Sequence, residues 1–177
     1  MANTDLPILQ QRRIEANIIK PIYEEMVERL GKAQASEILR AAITRDAIQQ
    51  GQTYAKIDSG SDDGGDGDGD GDGDGGEGDG TTLQGFHALL PQWKANGALE
   101  VEMLAEADDH VHYNVTRCKY AEMYKEMGLA EIGHILSCGR DGTFCTGYNP
   151  NIKLDRSQTI MQGADHCDFR YRWEEEK

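Results

Sequence analysis

Leu99-Glu100-Val101-Glu102-Met103 and Val111-His112-Tyr113-Asn114-Val115 both alternate apolar with charged or polar side chains. A period of two turns every second side chain to the same side of an extended strand. The polar break Glu106-Ala107-Asp108-Asp109 between the two runs predicts a hairpin. A third alternating run closes the chain. Cys167, Phe169, Tyr171 and Trp173 share one face, and Asp168, Arg170 and Arg172 share the other. Gly163-Ala164-Asp165-His166 supplies the turn before that run. Thr143 to Tyr148 and Ser157 to Gln162 read as two more strands.

Upstream of the hairpin the period changes. Ile14, Ile18, Ile22, Met26 and Leu30 recur every four residues, the spacing of one helix face. Pro21 divides that ladder, predicting a short helix and then a second one that starts at the proline and stops at Gly31. A further helix is expected from Ala33 to Tyr54, burying Ile38, Leu39, Ala42 and Ile43. Phe86, Leu89, Leu90 and Trp93 mark one or two amphipathic turns. Helical spacing returns from Cys118 to Met127 and in a short helix from Leu129 to Leu136. The sum is an α+β fold: an antiparallel β-sheet covered by helices, with an N-terminal helical segment, in a single domain over residues 1–177.

Residues 58–82 form an acidic Gly-Asp insert. Ten of the acidic residues lie there, so the formal charge of −14 falls to about −4 for the rest of the chain. Such a stretch has no apolar side chain to offset its ordering entropy, and it reads as a disordered loop. Asp66, Asp68, Asp70, Gly71 and Glu77 match the spacing of a calcium-binding EF-hand loop. Strict Asp-Gly alternation generates that match by itself, and Gly73 stands where a hydrophobic anchor is needed. A solvated linker with weak, nonspecific cation binding is the reading adopted. The remaining body lacks the basic surface that phosphate binding requires, which argues against nucleic acid as a partner. No apolar run is long enough for a membrane span, and Met1 to Pro7 does not look like a secretory signal. Four cysteines in this setting read as reduced thiols, and the expected location is cytoplasmic.

Reactive side chains gather in the C-terminal half. Cys118 opens a helix, where the dipole favours the thiolate. Cys138 and Asp141 fall in a Gly-containing loop, Arg156 and Thr159 flank the start of a strand, and Asp165, His166 and Cys167 sit at a turn. Each has a plainer reading. Cysteine is a common core residue, and Cys167 and Cys145 adjoin aromatics as packed side chains would. His134 reads as a satisfied core histidine. His110 and His112 are either solvated or site-lining. Arg156 is either a surface ion-pair partner or a fork for a substrate carboxylate. Cys138 and Cys145 are too far apart for a zinc knuckle, so no metal ligand is assigned and no cofactor is expected, with a divalent metal left open.

At these residues the chain resembles the L-2-amino-thiazoline-4-carboxylic acid hydrolases. The likeness spans nearly everything outside the insert: Arg13-Ile14-Glu15-Ala16 through Pro21-Ile22, Gly31, and Ile43 to Gly51 in the helical half. Four C-terminal segments carry most of it: Thr116-Arg117-Cys118-Lys119-Tyr120, Cys138-Gly139-Arg140-Asp141, Arg156-Ser157-Gln158-Thr159 and Gly163-Ala164-Asp165-His166-Cys167-Asp168-Phe169. The long acidic insert departs from the family pattern. The resemblance implies a hydrolase that opens a small nitrogen-containing ring bearing a carboxylate, giving an N-carbamoyl amino acid. On that reading Cys118, or water activated by Asp141 or Asp165, attacks the ring carbon, with Cys138 beside them. Thr159 or turn amides near Gly163 stabilise the developing charge, and Arg156, His166 and Cys167 hold the substrate. The partner is then a small carboxylate-bearing molecule, with self-association left open. The last thirty or so residues also resemble the small-molecule-binding domains of vinyl-reductase-like sensors, which implies the alternative of a sensor without turnover.

Overall fold

The structure is a computed structural model that describes residues 6–60 and 81–175. The calcium-loop match and most of the Gly-Asp insert lie outside the described residues.

Helix α1 (Ile8–Leu30) runs unbroken through Pro21, so the two expected helices are one. Proline removes a hydrogen bond to the carbonyl four residues back. Here that residue is Asn17, which is exposed like Pro21 itself, so water can solvate the freed carbonyl. The four-residue ladder does share one helix face, and apart from Met26 that face turns outward. Ile18 is 60% exposed, with Ile14, Ile22 and Leu30 beside it at the surface. The inward face is rotated by about one residue and carries Ala16, Ile19, Tyr23 and Val27. Small Ala16 allows close approach, and the Tyr23 hydroxyl bonds Ser36 at 2.8 Å.

Helix α2 (Lys32–Asp58) follows after Gly31, whose φ of 80° lies in the region that glycine adopts without strain. It buries Ala35, Leu39, Ala47, Gly51 and Ala55; Ile38 and Ala42, expected inside, are exposed. Two short helices, α3 (Leu83–His87) and α4 (Leu90–Lys94), seat Phe86 and Leu90 in the core. Thr82 caps α3 by accepting from the Gly85 amide.

The predicted hairpin forms as β1 (Leu99–Glu106) and β2 (His110–Cys118). After it come α5 (Lys119–Glu126) and α6 (Ala130–Gly133), then a π-helical turn over His134–Cys138. That turn leads directly into α7 (Gly139–Tyr148). The strand expected at Thr143 to Tyr148 is therefore helix, and the loop expected at Cys138 and Asp141 is helical too. Tertiary packing overrides the β-favouring Thr143-Phe144-Cys145-Thr146. α7 crosses α2 so closely that a Cβ on Gly147 would stand 2.0 Å from the Ile48 carbonyl oxygen, and one on Gly51 2.3 Å from that of Phe144. Two strands complete the sheet: β3 (Ile152–Asp155) and β4 (Cys167–Trp173). Ser157 to Gln162, expected as a strand, is a loop with a 3-10 turn at Ile160–Gln162, capped by Thr159.

All pairings are antiparallel, in the order β1-β2-β4-β3. Register sets Val111 opposite Tyr171, Tyr113 opposite Phe169 and Val115 opposite Cys167 on the helix-covered face. His110 and His112 pair with Arg172 and Arg170 on the other face. Two apolar clusters result, one among α1, α2 and α5, the other between sheet and α7, with Leu99 and Cys118 packed against both.

Around the undescribed stretch the chain is tied at both ends. The Tyr148 hydroxyl donates to Asp58 at 2.5 Å, and Asn149 Nδ2 donates to the Thr81 carbonyl and hydroxyl at 3.1 and 3.0 Å. The order seen at 58–60 and 81–82 thus reaches into the insert as delimited from sequence.

Candidate functional site

A cavity of 880 Å³ opens where the two apolar clusters meet. Cys118, Cys138, Asp141, Arg156 and Cys167 all line it. They arrive from five places: the end of β2, the π-helical turn, the first turn of α7, the loop after β3 and the start of β4. A π-helical turn widens the backbone spiral locally, a device common at functional sites. Here it leaves the Cys138 carbonyl free to accept from Arg156 Nη2 at 2.8 Å.

Arg156 also bonds Asp141 through Nη1, and its Cζ lies 4.9 Å from the centre of the Phe169 ring. The Arg156 side chain is nearly enclosed, at 11% exposed, while that of Asp141 is half-buried, at 34%. Burial raises the Asp141 carboxyl above the usual carboxylate range, while the adjoining guanidinium pulls the other way. Burial likewise opposes the Arg156 cation, but the Asp141 carboxylate holds it above its ordinary value.

The thiols behave differently from the expectation for Cys118. Burial pushes its pKa up to about 11, outweighing the amides of Ala121 and Tyr120 that favour the thiolate. Burial raises Cys138 and Cys167 as well. These are protonated thiols at neutral pH.

Three of the expected site residues stand apart from the cavity lining. Thr159, only 2% exposed, caps its own 3-10 turn through the Gln162 amide. The Asp165 side chain is 89% exposed and bonds His166 Nδ1 at 2.6 Å. His166 in turn meets Gln158. His134, expected as a satisfied core histidine, has a buried Nδ1 with no hydrogen bond among the described residues, and burial lowers its pKa. Among the described residues no group of three or more His, Cys, Asp or Glu is arranged to hold a metal ion.

The model of the L-2-amino-thiazoline-4-carboxylic acid hydrolase family matches residues 11–67 and 73–171. The chain belongs to this family. No curated protein matches it. Among solved structures, the phenol-responsive sensory domain of the transcription activator PoxR with phenol is 12% identical, with a TM-score of 0.49 over 88% of this chain and 73% of that one. No described helix is long and apolar enough to cross a membrane.

This hydrolase-family cavity also contains groups that sequence reading passed over. Arg140, buried and adjacent to Asp141, donates through Nη2 to Asp46 at 2.5 Å. Its Nε and Nη1 carry no hydrogen bond among the described residues. Arg12 bonds both Glu15 oxygens at 2.7 and 2.6 Å and Gln50 at 3.3 Å. Two signals were available. Arg140 stands inside the quoted Cys138-Gly139-Arg140-Asp141 segment, and Arg12 falls four residues before buried Ala16, on the inward side of α1.

Proposed function

We propose that the chain is a hydrolase that opens a small nitrogen-containing ring, of the type of 2-amino-thiazoline-4-carboxylate, to an N-carbamoyl amino acid. The observation that carries the reading is the pairing of Asp141 with Arg156 at the cavity wall, beside Arg140, whose guanidinium gives one of its N–H groups to Asp46.

Asp141 acts as general base, its basicity raised by burial toward the working pH. It takes a proton from water as the water oxygen bonds to the ring carbon between nitrogen and sulfur, and passes that proton to the ring nitrogen. Collapse of the adduct forms the carbonyl and breaks the carbon–sulfur bond. The sulfur departs as a thiolate and takes the remaining hydroxyl proton. Arg156, with both terminal nitrogens engaged, fixes the carboxylate that does this work. The substrate carboxylate goes to the N–H groups of Arg140 that Asp46 leaves unused. A Cys118 nucleophile is disfavoured, since with a pKa of about 11 only about one thiol in ten thousand is ionised at pH 7.

Mass-spectrometric detection of product from a panel of cyclic amidines, hydantoins and lactams tests this. Water-dependent ring opening by the native chain, abolished in Asp141→Asn, is the expected result. The second reading is a sensor without turnover, in which the Arg156–Asp141 pair braces the fold. Thermal stabilisation by panel members without any product selects it.

A further inference from the structure

We propose that the ring substrate carries an aryl group in addition to its carboxylate; this rests on the hydrolytic reading and names its substrate class. Helix α2 measures the cavity. Asp46 and Tyr54 both line it and lie eight residues apart on one helix. At a rise of 1.5 Å per residue they stand about 12 Å apart along the axis. A five-membered ring with its carboxylate spans roughly half of that, given covalent bonds of about 1.5 Å.

The two stations differ in chemistry. Asp46 bonds Arg140, the proposed carboxylate fork. Tyr54 belongs to an aromatic wall: its ring meets Phe144 edge-on at 5.6 Å, Phe144 meets Trp93 at 5.7 Å and 87°, and Trp93 meets Phe86 at 5.7 Å. The Tyr54 hydroxyl is taken by Gln92 at 3.3 Å, so this wall presents ring faces and edges more than donors. A small ring held at Arg140 leaves the cavity side of those rings uncovered. Dispersion and quadrupole interactions favour filling such a space with another flat ring. The volume of 880 Å³ accommodates both parts, within the range of roughly 300–1000 Å³ for sites that enclose drug-sized ligands.

Isothermal titration of the whole chain with N-carbamoyl-phenylalanine and N-carbamoyl-alanine tests the class without turnover, because the two product-like acids differ by a phenyl group. The phenyl compound is expected to bind about thirtyfold more tightly. Trp93→Leu and Tyr54→Leu should each reduce that advantage to about fivefold or less while leaving the affinity for N-carbamoyl-alanine unchanged. Equal affinities in the native chain, no binding of either compound, or an advantage intact in both variants overturns the proposal. Ring opening of small substrates with no aryl preference leaves the hydrolytic reading standing and removes this one. Aryl preference with no product from any aryl-bearing ring does the reverse, leaving an aryl-acid binding site.

Discussion

Arg156 ties together Asp141, in the first turn of α7, and the carbonyl of Cys138, in the π-helical turn before it, so one guanidinium spans the junction of the two helices. Removing the acid removes the proposed base. Asp141→Asn is expected to lower kcat by about a hundredfold or more, with an intact fold by circular dichroism. Arg156→Ala leaves a half-buried carboxylate without its cation. It should therefore cost both activity and about 2 kcal/mol of stability in urea unfolding.

Cys118 provides the opposite expectation. Its thiol, with a pKa raised to about 11, is ionised too little to act near neutrality. Cys118→Ala should keep kcat within about threefold of the native value. A hundredfold loss, or a native rate that climbs with pH all the way toward 11, would return the thiol to the mechanism.

Asp168 organises the loop that carries Arg156. It accepts from the Ser157 hydroxyl at 2.6 Å and from the Ser157 and Gln158 amides at 3.1 and 2.8 Å. Partial burial works against the charge, yet these bonds hold its pKa at about 2. A depressed carboxylate contributes stability that is complete above its unfolded value, near 4, and fades as pH falls through its folded value. Asp168→Ala should accordingly melt below the native chain at pH 7, with the gap narrowing between about pH 4 and 2. Melting curves across that window provide the check.

The α2–α7 crossing predicts a sharp contrast within one helix. Gly147→Ala drives a methyl into the Ile48 backbone and should destabilise by about 3 kcal/mol. Gly142→Ala, also in α7, meets nothing within 4 Å and should be neutral or stabilising by up to about 1 kcal/mol. Urea midpoints of the two variants measure the difference.

The parts of the fold legible in sequence are those where a single face is buried. Strand β2 alternates cleanly because one side of the sheet is covered, and α5 shows its buried stripe of Tyr120, Met123 and Tyr124, whereas in β1 Met103 is 44% exposed where the register shifts. Helix α7 was illegible: its β-favouring residues encode a contact with α2 that only the assembled pair reveals. The α1 ladder misled for a related reason, since four-residue spacing marks a helix but not which side faces inward. At the site, the chemistry of Asp141 and Arg156 could be read from type and neighbours. The committed state of Arg156 and the protonated Cys118 depend on burial, which spacing does not encode.

Asp58 and Thr81 are fastened to consecutive residues at the end of α7, so the two posts that flank residues 61–80 stand side by side. Loop closure costs grow only logarithmically with length, and a change in the linker therefore places little tension on either post. That closeness makes a natural graft point: a reporter peptide could be spliced in, or the acidic run shortened, with the cavity left undisturbed.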